Sequence, residues 1–152
     1  MISPIPLQVG PNVDEVYPAP IPMPWDRGGE FVPLLVQGSF GNHLITLRLE
    51  YTVPPGKWAL LTHALIRIEP PATAGTLAGS IWVADPGGTL VLLVHNLNVN
   101  SATPIHNIAY TTPVFIIVPE YYKIRLYTTN SSTDTRFFHV VAGVYIFNKL
   151  VG

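Results

Sequence analysis

A chain of 152 residues is long enough to fill one core and too short for two ordinary domains. Charged residues make up 11% of it and apolar residues 48%, with a formal charge of -1, which leaves no electrostatic footprint for nucleic acid and implies an unusually neutral surface. The absence of cysteine excludes disulfide frameworks, thiolate catalysis and cysteine metal sites, and no run approaches the roughly 18 uninterrupted apolar residues of a membrane helix.

The N-terminal fifth of the chain differs from the rest. Eight of the sixteen prolines fall within the first 33 residues, and YPAPIPMPW, residues 17 to 25, has one at every second position. Proline fixes φ, removes a backbone donor and pushes its predecessor toward extended conformations, so this segment favours polyproline II over helix or central strand. It also carries Tyr17, Ile21, Met23 and Trp25, which is too apolar for an ordinary solvated tail. The sequence is therefore read as an extended arm, residues 1–30, that lies on something, followed by a domain, residues 31–152. MISPIPLQVG lacks a basic segment followed by an apolar one, so a secretory leader is not expected.

From Phe31 onward the apolar pattern has period two and the punctuation belongs to turns, so the domain is expected to be all-β. EFVPLLVQ is the first strand candidate. In HLITLRLEYTV the alternation puts Ile45, Leu47, Leu49, Tyr51 and Val53 on one face. VPPGK should turn the chain, with Pro55 and Gly56 at the central positions of a type II turn. WALLTHALIRIE is apolar on both faces and belongs in the middle of a sheet. GSIWVA and TLVLLVHNL flank the turn DPGG; IHNIAY, PVFIIV, YKIRLYTT and RFFHVVAGVYIFN complete the set. About eight short strands separated by Gly, Pro and Asn turns predict a single antiparallel β-sandwich, a jelly roll first and an immunoglobulin-like sandwich second. TTNSSTDT, residues 128 to 135, is the most polar loop and is expected as an exposed hairpin tip.

Catalytic signatures are missing from this pattern. The histidines, His43, His63, His95, His106 and His139, are never closer than 11 residues, so no HxH or HExxH spacing marks a metal site. Glu50, Glu69, Asp85, Glu120 and Asp134 could in principle pair for acid and base work on sugars, but strand ends and turns are their simpler role. Neither GxSxG nor a phosphate-binding glycine loop occurs. We expect no enzyme, no cofactor and no metal. Trp25, Trp58, Trp82, Tyr121, Tyr122 and Tyr127 are candidates for a sugar-stacking platform, against core or interface packing. Between Asp85 and Glu120 there is no Asp, Glu, Lys or Arg, and so apolar a surface is expected to be buried by other subunits.

The combination of YTVPPGKWALLTHALIRI, YYKIRLYTTNSSTDTRFFHVVAGVYIF and the proline-rich arm resembles capsid decoration, or head-stabilising, proteins of tailed bacteriophages. That resemblance implies a non-enzymatic virion protein, made in the host cytoplasm, that trimerises on the capsid surface and clamps neighbouring major capsid protein subunits, with no nucleic-acid or membrane partner. At about 3.1 Å per residue, a 30-residue arm would reach on the order of 90 Å, enough to cross to an adjacent subunit, with Tyr17, Ile21, Met23 and Trp25 as its protein-binding anchors. A minor tail or head-fibre protein, a small jelly-roll capsid subunit, and a carbohydrate-binding β-sandwich module are the alternatives.

Overall fold

The computed structural model describes residues 29–103 and 108–149, without the side chains of 108–113. Eight strands follow in order: β1 (Glu30–Phe40), β2 (His43–Thr52), β3 (Lys57–Ile68), β4 (Thr76–Ala84), β5 (Leu90–Asn100), β6 (Ile108–Val118), β7 (Lys123–Asn130) and β8 (Arg136–Asn148). They form two four-stranded sheets, ordered β1-β8-β3-β6 and β2-β7-β4-β5, in which neighbouring strands run antiparallel. Four of the pairings are nested, β1 with β8, β2 with β7, β3 with β6 and β4 with β5. The chain is thus one long hairpin rolled around itself, with its tip at the DPGG turn, and this is the jelly roll, the first of the two expected topologies.

Turn chemistry follows the sequence. Gly56 has φ 74°, and Lys57 N–H donates to Pro54 O at 3.2 Å, the closure that a Pro-Gly type II turn makes. At the hairpin tip, Asp85 accepts from Gly88 N–H through its carbonyl and from Thr89 N–H through its carboxylate, both at 2.9 Å. β3 and β8 occupy the two central positions of their sheet, consistent with the near-continuous apolar runs that spell them. The segments IHNIAY and PVFIIV, expected as separate strands, join from Ile108 onward into β6. Pro113 is tolerated inside it because β6 is an edge strand, as is β1 with Pro33 at the other side of the same sheet.

Leu61, Ile66 and Ile68 of β3 and Phe138 and Val140 of β8 pack with Leu77 and Ile81 of β4 and Ile124 and Leu126 of β7, all fully buried. Burying each such side chain contributes about 1.5–3 kcal/mol before ordering costs. β3 carries a bulge between Leu61 and His63, so Leu61 and Ala64 both point inward while His63 turns outward beside Gly143.

One expectation is overturned and a second holds only in part. The apolar alternation of β2 does not lie on one face: Leu47 pairs with Tyr127 but Leu49 with Leu126, so Arg48 is an inserted residue and the facing reverses there. Ile45 and Leu47 are exposed, whereas Val53 is fully buried. Arg48 itself sits 3.9 Å above the Phe40 ring and donates through Nε to Thr128 Oγ1 at 2.9 Å. The polar loop after β7 is exposed only in part: Ser131, Thr133 and Thr135 face solvent, whereas Ser132, and Asn130 at the end of β7, are fully buried. Asn130 Nδ2 donates to Phe40 O and Asp134 O, and its Oδ1 accepts from Ser132 N–H and Oγ–H. Asn42 Nδ2 donates to Ser132 O, and Gly75, at φ 137°, approaches so closely that a β-carbon would lie 2.6 Å from Ser132 N. This polar knot ties the β1–β2 and β3–β4 connections to the β7–β8 turn.

Candidate functional site

The carboxylates considered for acid and base work serve the fold. Glu50 pairs with Arg125 at 2.7 Å and Glu69 with Arg136 at 3.0 Å. Asp134 accepts from Ala72 N–H and Thr73 N–H at 2.6 and 2.8 Å; the bond from Thr73 is the main cause holding its carboxyl below the usual range. Glu120 is likewise lowered, by the hydrogen bond from Lys149 and then that from Gly56 N–H. Among the described residues no three His, Asp or Glu side chains cluster as a metal site requires.

The histidines are dispersed. His43 Nδ1 lies 2.6 Å from Gly41 O and Nε2 2.9 Å from Thr128 Oγ1, an arrangement satisfied when Nδ1 carries the proton. His63 stacks on Phe31, with ring centroids 6.3 Å apart. Burial lowers the pKa of His95. His106, and the arm anchors Tyr17, Ile21, Met23 and Trp25, lie outside the described residues.

Exposed apolar side chains are concentrated at the strands that border the two sheets. Phe31 and Leu35 lie on β1, Leu44, Ile45 and Leu47 on β2, Leu90, Val91, Leu92 and Leu93 on β5, and Phe115 and Ile117 on β6. All four are edge strands. β1 and β2 carry some charge, at Glu30, Arg48 and Glu50, whereas β5 and β6 carry none. β5 and β6 both belong to the charge-free stretch from Pro86 to Pro119 and border one flank of the sandwich, Phe115 being 77% exposed there. Natural edge strands are ordinarily blunted by charges, and lysine above all.

A second feature lies on the outer face of the β2-β7-β4-β5 sheet. Along β4 the outward side chains are Ala78, Ser80 and Trp82; register sets Ala78 between Thr129 and Asn98, and Ser80 between Tyr127 and Asn96. Short side chains on a central strand between longer ones on its neighbours make a trough, with a volume of about 320 Å³. Trp82, opposite Leu93, closes one end and donates its indole N–H to Ser80 Oγ at 3.2 Å. Arg125, held by Glu50, donates to Gly88 O at 3.0 Å and to Tyr127 Oη at 3.4 Å, which fixes the phenol. Of the expected aromatic platform, the fold therefore unites Trp82 and Tyr127. Trp58 packs edge-on against Phe147 at 6.4 Å, Tyr122 packs against the core, and Tyr121 is exposed at φ 69°. The polar members Ser80, Asn96 and Asn98 had no signal of their own in the sequence, since only cross-strand register brings them together.

No protein-family model and no curated protein sequence matches this chain. Among solved structures it is similar to chains from infectious bursal disease virus particles. One, from the Gx strain, has 11% identity and a TM-score of 0.47 over 79% of this chain and 32% of that chain. Another, from the T13 viral particle, has 12% identity and a TM-score of 0.48 over 81% of this chain and 32% of that chain. A Bacillus endospore appendage, which forms disulfide-linked pili, is 7% identical with a TM-score of 0.43, over 80% of this chain and 89% of that chain. The chain spans about a third of the length of the viral chains it matches.

Proposed function

We propose that this protein is a non-enzymatic structural component of a virion, which assembles as a closed oligomer, a trimer, on the outside of a bacteriophage capsid and stabilises the shell by clamping neighbouring major capsid protein subunits. The observation that carries this reading is the uncharged flank formed by β5 and β6. Two adjacent sheet edges with exposed Val91, Leu92, Phe115 and Ile117 are a template for association, and closed symmetry lets each copy cover the edge of the next. The arm, residues 1–30, adds reach: its prolines restrict the free chain, so less entropy is lost when Tyr17, Ile21, Met23 and Trp25 dock on an adjacent subunit.

Co-sedimentation with isolated expanded phage capsids tests the reading. The full chain should pellet with capsids, and Trp25→Ala should weaken that binding by more than about tenfold, since one lost anchor per subunit is multiplied across an oligomer. A protein that stays in the supernatant at every capsid concentration, or a Trp25→Ala variant that binds like the parent, overturns the clamp.

A further inference from the structure

We propose that the trough on the outer face of the β2-β7-β4-β5 sheet is a binding site for a neutral glycan, taking one or two pyranose units. Its chemistry is selective. An indole and a phenol, Trp82 and Tyr127, offer flat apolar surface of the kind that the C–H face of a pyranose covers. Opposite them on β5, Asn96 and Asn98 present side-chain amides that, among the described residues, have no protein hydrogen-bond partner. Each amide both donates and accepts, which is what a ring of hydroxyl groups demands. Every lining residue is uncharged, with no Asp, Glu, Lys, Arg or His among them. An anion or a cation would leave bulk water here without a counter-charge, whereas a neutral polyol loses no such solvation.

The site is also built in advance. Its floor is backbone and the short side chains of Ala78 and Ser80 on a central strand, its aromatic members are held by the Trp82 to Ser80 and Arg125 to Tyr127 hydrogen bonds, and a volume of about 320 Å³ falls at the small end of ligand sites. Ile45, Leu90 and Leu93 line the rest of the trough and extend the apolar surface against which the C–H face of a pyranose packs.

The test is saturation-transfer difference NMR and titration calorimetry on the full chain with cellobiose, lactose, maltose and N,N′-diacetylchitobiose, with galacturonic acid as the charged control and cyclohexanol as the apolar one. At least one neutral disaccharide should saturate, while galacturonic acid does not. Asn96→Ala with Asn98→Ala should weaken that binding by about tenfold or more, the loss expected from two or so hydrogen bonds. Ser80→Leu, which fills the floor from the solvent side, should abolish it while the variant still melts cooperatively. The proposal is overturned if none of the four disaccharides saturates, if Ser80→Leu binds sugar as the parent does, or if cyclohexanol alone binds and is indifferent to the asparagine pair. None of these outcomes depends on whether the protein adds to capsids.

Discussion

His63 lies flat across Gly143: a β-carbon built on Gly143 would stand 2.0 Å from His63 Cε1 and 2.3 Å from Nδ1. The bulge in β3 turns His63 outward, and Phe31 stacks on the ring from β1, so the imidazole is held between two neighbours on the face of the sheet. Gly143 has no left-handed φ, and what it supplies is space. Gly143→Ala should therefore cost about 1–3 kcal/mol by overpacking, measured by denaturant unfolding. Combined with His63→Ala, the loss should be smaller than the sum of the two singles by about 1 kcal/mol or more. Additive losses would show that the ring moves aside freely.

Asn130→Ala should be among the most damaging changes outside the apolar core. It orphans Phe40 O, Asp134 O and Ser132 N–H, and each buried group left unpaired costs about 1–3 kcal/mol. A net loss of about 2–4 kcal/mol is expected, against less than about 0.5 kcal/mol for Thr133→Ala on the exposed side of the same loop. Equal melting temperatures for the two variants would contradict the knot.

Acid should weaken the fold in two windows. The pKa of His95 is lowered from 6.5 by burial; the unfolded chain then takes up the proton first, so stability falls as pH drops below 6.5 and levels off below the folded value. Asp134 and Glu120 are lowered from 3.8 and 4.5, so their contribution is full above those values and is lost as pH falls through the folded ones. Asp134→Asn should shrink the lower window in a pH series of thermal unfolding, leaving the share of Glu120, and keep the upper one in place.

The flank predicts an assembly defect separable from folding. Val91→Lys and Phe115→Glu place charges on edge strands at exposed positions, as monomeric proteins do. Sedimentation equilibrium at tens of micromolar should find the parent as a closed oligomer and the double variant as a monomer with unchanged β-type circular dichroism. A monomeric parent would count against self-association through this flank.

Removal of residues 1–28 should leave a cooperatively melting β domain, because β1 starts at Glu30 and the core residues named above all come from the eight strands or the segments between them. Capsid binding, by contrast, should fall with the truncation. An unfolded product would place the arm in the core.

How far a sequence speaks for such a protein depends on whether a feature is local. The all-β strand pattern, the Pro55-Gly56 turn and the Asp85 turn rest on the pleat and on φ preferences of a few neighbouring residues, and each stands where the sequence puts it, the facing within β2 excepted. The charge-free run was equally legible, though its position as a single flank depended on β5 and β6 bordering different sheets. Three features were decided by tertiary structure. Ile45 and Leu47 left the face of Leu49 and Val53 because the pairing of β2 with β7, some 80 residues away in the chain, inserts Arg48. TTNSSTDT reads as solvated from its polarity, yet its hydrogen-bonding groups are spent on Phe40, Asn42 and Thr76, so burial costs them little. The trough exists because register sets Ala78 and Ser80 between Asn98, Asn96, Thr129 and Tyr127. A period-two pattern says which residues share a face of one strand, while the shape of a sheet surface depends on which strands lie side by side and in what register, and that is set by contacts between residues far apart in the chain.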